Sequence, residues 1–392
     1  MPLNAGENKK GREFHLPAFL SASLIFQIIQ IGIYPILLSQ IMSKNAYEGF
    51  YIGALLSVSW LSVFAIGPFV PRIIGYLGHP AVLLLSCTGT IAGFLILLVS
   101  SHLAALAVSA ILVGGGLILR WVSCDTVLVG VSAPESTGKL IGYHEALMGL
   151  GIALGPLLFI FLDLQNVIWA CLVLIACGQF GFLITRVPTF DDHHEAPSSN
   201  NMMTVGTLIL VALAAAFVSG FIESSSIALF PLHFENFGYP LTTSAVLVSS
   251  FGFGGTLLQP PLGTLADRIG YANSQLLCLI GVAAGCLMIA LFPANYMLML
   301  TILFVVGGAA GGLNTLAVIE AGKTLNQSSM ATAMTAIAML YTLGGVSGPV
   351  LAGSALELVD HTGMIWLFVT ISLLLAAFLV ACSLQRLGKR PR

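Results

Sequence analysis

Four ionisable side chains stand where an apolar sequence leaves them no water: Arg120, Asp125, Glu145 and Glu223. His144 adjoins Glu145, Gln27 and Gln30 add polarity to the first apolar run, and Glu320 lies near the end of a later one. A charge at membrane depth is costly, so these residues are candidates to carry a proton or hold a charged ligand. Arg120 and Glu145 lie at similar distances on either side of Pro134, where the chain must turn. At about 1.5 Å rise per helical residue their depths differ by roughly one turn, so they could face each other as an ion pair. Such a pair either opens on protonation or holds a helical hairpin permanently. Arg120 could also anchor an anionic group, because its planar fork matches a carboxylate or phosphate. Asp125 lies about 140° further round the same helix, as a proton carrier or a residue of the membrane interface. His144 is of the type that titrates near neutral pH, or is a hydrogen-bonded helix residue. Glu223, in GFIESSSIALF, is either a proton-coupling or cation-binding acid or a protonated side chain bonded to a neighbouring helix. Glu320 and Lys323 are expected as a local pair on one helix face.

Composition says what kind of elements must position these groups. Hydrophobic residues make up 57% of the chain and charged residues 8%, with a mean hydropathy of +0.99. A soluble domain carries about 25% charged residues, so this chain dissolves in lipid. A scattered net charge of -2 gives no footprint for nucleic acid. Cys87, Cys124, Cys171, Cys177, Cys278, Cys286 and Cys382 all lie inside apolar runs. That placement argues against a disulfide framework or a zinc site and for small core residues. Asp191, Asp192, His193, His194 and Glu195 are adjacent in a polar stretch, where residues seldom converge on one ion, and read as a solvated linker. With no nucleophile–base pair, nucleotide loop or lipid-anchor signature, neither an enzyme nor a metal or cofactor is expected.

At about 20 apolar residues per crossing the chain divides into twelve helices. The expected spans are 15–42, 50–70, 79–99, 103–130, 139–161 and 166–186, then 204–231, 242–262, 272–292, 296–320, 329–353 and 362–385. The run after Lys9, Lys10 and Arg12 is expected to be an uncleaved first helix. The polar stretch RVPTFDDHHEAPSSNNMM interrupts the pattern near its middle. What precedes it recurs after it: Pro35 and Pro231 stand at the same spacing as Arg72 and Arg268. Gly114-Gly115 and Gly307-Gly308 share a slightly shorter spacing with Gly155-Pro156 and Gly348-Pro349. Two homologous bundles, 1–186 and 204–392, are therefore expected around a cytoplasmic linker at 187–203. On the longer spacing Glu223 is the counterpart of Gln27. With both termini in the cytoplasm, every one of the 14 lysines and arginines except Lys44 and Arg120 falls inside or at the inner face, a strong positive-inside bias. The glycine clusters lie within apolar runs and serve close helix packing, not phosphate binding.

The stretch GTLADRIGY resembles the signature that follows the second helix of each half in the major facilitator superfamily, through Gly263, Leu265, Asp267, Arg268 and Gly270. GLGIALGP, ending in Gly155 and Pro156, and GGVSGPVLAG, with Gly348 and Pro349, resemble the Gly-Pro motif of its drug–proton antiporters. The resemblance covers the whole chain. It implies an all-α integral membrane fold of two pseudo-symmetric six-helix bundles, with helices 1, 4, 7 and 10 lining a central cavity that Gln27, Arg120 and Glu223 would share. It implies that Asp267 and Arg268 help latch the halves, with a simple interfacial charge as the alternative. Two departures stand out: Pro71 occupies the acidic position in the first half, and Ala110 takes the place of an arginine found in many antiporters.

The reading that follows is a monomeric secondary transporter in the cytoplasmic membrane, working by alternating access among lipids. It would move a small organic molecule, with protons as coupling ion, in the direction of efflux. Uptake of an organic anion is the alternative, and a non-transporting sensor on the same fold is a third.

Overall fold

The computed structural model describes residues 14–131, 137–185, 187, 206, 208–292, 295–325, 327–359 and 361–388. The first half holds α1 (Leu16–Lys44), α2 (Gly49–Leu77) and α3 (His79–Val99). It continues with α4 (Leu103–Val131), α5 (Thr137–Leu154, carried on to Phe161) and α6 (Leu164–Ile184). The second half holds α7 (Leu210–Asn236), α8 (Leu241–Leu257 and Gln259–Ile269), α9 (Tyr271–Leu291), α10 (Tyr296–Thr324), α11 (Gln327–Leu358) and α12 (Gly363–Gly388). Among the described residues 10 helices are long and apolar enough to cross a membrane, and α8 makes an eleventh when its two pieces, bent by 44°, count as one. The remaining crossing is the shorter apolar part of α5, Ala146–Phe161. The protein is an all-α, multi-pass membrane protein. Apart from Val187, the stretch expected as a linker lies outside the described residues.

The helices break where prolines dictate. Each of the breaks at Gly67–Phe69, Gly155–Leu157 and Gln259 carries a proline at the first or second position of the new segment. Proline has no N–H to return to the preceding turn, but its fixed φ suits a first turn. Hence α2 and α8 run further than their apolar stretches suggest. The GTLADRIG signature is helical up to Ile269, and Gly270 ends that helix at φ 86, as Gly78 ends α2 at φ 76. Both sit in the left-handed region that glycine enters without strain.

Lipid offers helices no hydrophobic reason to associate, so close packing does the work. Gly114 of α4 lies against the Ser59 carbonyl of α2, and Gly307 of α10 against the Phe251 carbonyl of α8; a Cβ at either would collide with backbone. The two halves thus repeat the same contact. Within each half, Gly155 packs on Gly32 of α1 and Gly348 on the Phe221 carbonyl of α7. Of the cysteines expected in the core, Cys177 instead faces outward and Cys382 is half-buried, because one side of a peripheral helix meets lipid.

The halves meet along α2–α11, α5–α8 and α1–α7. The named contacts cluster toward the end of the molecule opposite the termini. Gly53 abuts Pro349, Gly49 abuts Gly353, and Gln40 donates to Glu235 at 2.9 Å. The Phe50 N–H donates to Glu357 at 3.0 Å.

Candidate functional site

Pro35 shapes the first centre. Its missing N–H leaves the turn before it without a normal α-helical bond, and α1 widens there into a π-helical turn at Ile28–Ile33. Such turns interrupt helices at sites that need a side chain re-aimed. Ser23, Gln27 and Gln30 form a polar stripe on α1, and all three reach Arg120 of α4. The guanidinium is 1% exposed. Its Nη2 donates to Gln27 Oε1 at 2.7 Å, its Nε to Gln30 Oε1 at 2.9 Å and its Nη1 to Ser23 Oγ at 3.1 Å. Met148 of α5 places its sulfur 3.7 Å from Nη1. Gln30 in turn donates to Thr90 Oγ1 at 2.9 Å, and Thr90 to the Ser86 carbonyl of α3. Three helices therefore hold one cation. A second arm leaves Ser23 for the buried His144, whose Nε2 lies 2.9 Å from Ser23 Oγ. His144 Nδ1 lies 3.1 Å from Asp125 Oδ1, close but without the line-up of a hydrogen bond. Asp125 is 35% exposed, so this arm runs from Arg120 to the edge of the bundle. Glu145 belongs to α5, but its side chain lies outside the described ones.

The second centre is Glu223 on α7. Its Oε1 receives Ser219 Oγ at 2.9 Å and its Oε2 receives Tyr341 Oη of α11 at 2.9 Å. Ser219 Oγ also lies 2.8 Å from the Ala310 carbonyl of α10, and Gly311 leaves the carboxylate room. Unlike Arg120, Glu223 is half-buried. Tyr341 meets the Trp60 ring of α2 edge-on, with centroids 6.2 Å apart, so the carboxylate is two contacts away from the other half. Of the neighbouring serines, Ser224 and Ser225 bond back to their own helix at 2.7 and 2.6 Å. Between the centres runs a narrow cavity of about 20 Å³ lined by Gln30, Tyr34, Ser59, Trp60, Ser224 and Pro349, among others. A space of that size admits about one water.

A family model for the Major Facilitator Superfamily matches residues 19–211 and 212–392. The chain belongs to the major facilitator superfamily. It is similar to the uncharacterised superfamily transporter YfkF of Bacillus subtilis (strain 168), with 26% identity over 259 residues, 64% of this chain and 65% of that protein. It is also similar to YcaD of Escherichia coli (strain K12 / DH10B), with 26% identity over 247 residues, 60% of this chain and 61% of that one. The matches thus span under two thirds of each relative's length. Among solved structures, the nucleoside transporter NupG superimposes with a TM-score of 0.78 at 12% identity, covering 93% of this chain and 98% of that one. At that identity the likeness establishes the fold alone. This protein is therefore a multi-pass membrane protein of that superfamily.

Other expected positions fall as follows. Asp267 is exposed, and its Oδ1 receives Lys323 Nζ of α10 at 2.9 Å. Lys323 therefore turns to α8 instead of pairing with Glu320, because Glu320 points inward and accepts from buried Gln275 of α9 at 3.0 Å. Arg268 and Gly270 are exposed, Gly263 is half-buried, and Gly155, Pro156, Gly348 and Pro349 are buried in the helix crossings. Sequence reading overlooked Ser23, Thr90, Ser219, Trp60 and Tyr341. Ser23 and Ser219 were within reach of it, each one helical turn from a residue already singled out; Thr90, Trp60 and Tyr341 arrive from distant helices.

Proposed function

We propose that this protein is a transporter that couples the movement of a moderately hydrophobic organic molecule to protons, by alternating access, with Glu223 as the proton carrier and efflux as the direction. The observation that carries this reading is the setting of Glu223. It is an acid at membrane depth, held among the described residues by hydroxyl groups and joined through Tyr341 to Trp60 of the opposite half. A charge at the bilayer centre costs roughly 3 kcal/mol even on insertion-based scales, so gain and loss of a proton there has force enough to bias two conformations. Trp60 and Tyr341 lie on the α2–α11 seam, where the halves must part. The cavity is closed to a substrate in this conformation. Once the halves part along the α2–α11 seam, its apolar and aromatic lining, Trp60, Tyr34 and Pro349 included, would suit an amphipathic substrate with few polar groups.

With both termini in the cytoplasm of a cell bounded by its inner membrane, the clustered cross-half contacts close the outer side. Gln40–Glu235 and Phe50–Glu357 then form part of the outer seal, and opening outward requires breaking them along with the Gly53–Pro349 crossing. Asp267 acts at the opposite, inner face, and the two bundles, 1–186 and 204–392, rock about the cavity between them.

Arg120 favours a second reading, uptake of an organic anion. Its guanidinium is a permanent charge beside the cavity, and Gln30 is shared by both. The nucleoside specificity stated for NupG adds nucleosides to the compounds worth testing.

The experiment is pH change inside proteoliposomes holding the full chain, on addition of lipophilic cations, organic anions or nucleosides, with Glu223→Gln and Arg120→Ala alongside. Substrate-dependent proton movement in wild type, abolished in Glu223→Gln while substrate exchange persists, is the expected outcome. Loss confined to anions in Arg120→Ala favours uptake instead. Substrate flux that moves no protons in wild type would falsify the coupling.

A further inference from the structure

Ser219 has one hydroxyl hydrogen and stands between two acceptors, Glu223 Oε1 at 2.9 Å and the Ala310 carbonyl at 2.8 Å. One O–H points at one acceptor. If it serves Ala310, an ionised Glu223 would face Ser219 Oγ across 2.9 Å with no hydrogen between two lone-pair-bearing oxygens. If it serves the carboxylate, the same conflict moves to the carbonyl contact. Either way two acceptor oxygens would face each other at hydrogen-bond distance beside the buried Ser219, an arrangement that leaves a buried polar group unmet. The phenolic hydrogen of Tyr341 cannot help, because it is committed to Glu223 Oε2. One further hydrogen resolves the whole set.

We propose that Glu223 is protonated in this conformation, and that its Oε1–H donates to Ser219 Oγ while Ser219 donates to the Ala310 carbonyl. The chain of donors then runs Tyr341 to Glu223 and Glu223 to Ser219 to Ala310, with every hydrogen assigned. Ser219 thereby becomes a positioning residue that ties the protonation of α7 to α10. When the proton leaves Glu223 for solvent or the cavity, the Ser219 hydroxyl swings from the carbonyl to the carboxylate. A bond between α7 and α10 is exchanged for one within α7, and no covalent bond to a heavy atom changes. Among the described residues, Glu223 is faced by Tyr341 of α11, which is titratable, and by Gly311 of α10, with the Ala310 carbonyl behind Ser219 and the Gly255 backbone of α8 beside Gly311. The Trp60 ring of α2 behind Tyr341 is uncharged. This deepens the coupling role given to Glu223 and rests on it for the consequence, though not for the hydrogen count.

Infrared difference spectroscopy of the full chain in lipid tests it, taking wild type minus Glu223→Gln at neutral pH with and without sodium. A carbonyl band of a neutral carboxylic acid, lost in Glu223→Gln, is expected. Tyr341→Phe should shift that band to higher frequency by removing the donor to Oε2, and Ser219→Ala should shift it by removing the acceptor of the acid proton. A change in band position is something a merely structural role would not produce in a folded variant. Detection of Glu223 only as a carboxylate would overturn the proposal. So would loss of the acid band on adding sodium, since a cation would then supply what the count assigns to a proton. The flux assay answers separately: if Glu223→Gln still couples protons while the acid band is present, the coupling role fails and the hydrogen assignment stands.

Discussion

The two halves of the molecule keep the same helix crossings and fill equivalent positions with opposite chemistry. Gln27 in α1 and Glu223 in α7 stand at the spacing that relates the repeats. Gln27 lends its amide oxygen to a buried cation that three helices hold, while Glu223 is itself the ionisable group and meets two hydroxyls. Pro35 opens α1 into a π-helical turn, whereas Pro231 lies inside an α7 that stays α-helical. The contrast separates a fixed charge from an adjustable one. An arginine keeps its proton at any pH the cell meets, so multiplying its partners adds rigidity. A carboxyl group that must change state is better served by a few hydroxyls, which donate to one form and accept from the other.

The largest effect should come from breaking the rigid side. Arg120→Ala strands Gln27 Oε1 and Gln30 Oε1 and leaves Ser23 Oγ to His144, and each buried acceptor left unmet costs about 1–3 kcal/mol. Thermal unfolding of the purified protein should fall well below wild type and transport should be lost. Arg120→Lys keeps the charge without the fork and should recover part of the stability. Unchanged unfolding in Arg120→Ala would mean that the network is not what fixes α1 to α4.

A smaller effect should follow from making the halves alike. Gln27→Glu sets a carboxylate where the amide oxygen now lies 2.7 Å from Arg120 Nη2. A hydrogen bond to a charged group is worth about 1.5–3 kcal/mol against roughly 1 for a neutral one. The protein should therefore unfold at or above the wild-type temperature while substrate flux drops, since a carboxylate held ionised by Arg120 would fix α1 to α4 more tightly. The reverse change, Glu223→Gln, should alter stability by less than about 1 kcal/mol. Its amide oxygen keeps the Tyr341 hydrogen and its N–H can replace the acid proton toward Ser219. Exchange should survive and coupling vanish. A large loss of stability instead would show that the carboxylate, not the neutral acid, holds α7, α10 and α11 together.

How much of this could be read beforehand follows from what the bilayer dictates. A lipid core forces helices and sets their length, so twelve segments and a two-fold repeat were legible from hydropathy and from Gly114, Gly155, Gly307 and Gly348. Their ends were less so, because Pro68, Pro156 and Pro260 restart helices inside stretches that hydropathy treats as continuous or already finished. Depth along α4 could be counted, and it brought Arg120 level with α5. The side of the helix could not be counted, so three contacts of Arg120 with α1 were missed although Ser23, Gln27 and Gln30 repeat at helical spacing. Tyr341 stands far from Glu223 along the chain, and only the α7–α11 crossing brings them together.

The smallest effect concerns the signature that one half retains and the other lacks. Lys323 and Asp267 form an exposed pair, and exposed pairs are worth about 0.2–1 kcal/mol and weaken with salt. Both belong to the second half, so their bond by itself cannot hold the two halves together. Lys323→Ala should leave unfolding within that range, and added salt should erase the difference. The exchanged pair, Asp267→Lys with Lys323→Asp, should restore whatever stability each single change removes. Flux is a separate question. If Asp267 also meets the first half at the terminus end during the cycle, where Pro71 offers no acid of its own, then the exchanged pair should remain slow despite normal stability. That is the outcome expected. Full recovery of flux in the exchanged pair would confine Asp267 to its local partner and remove the latch from the account of how the halves rock.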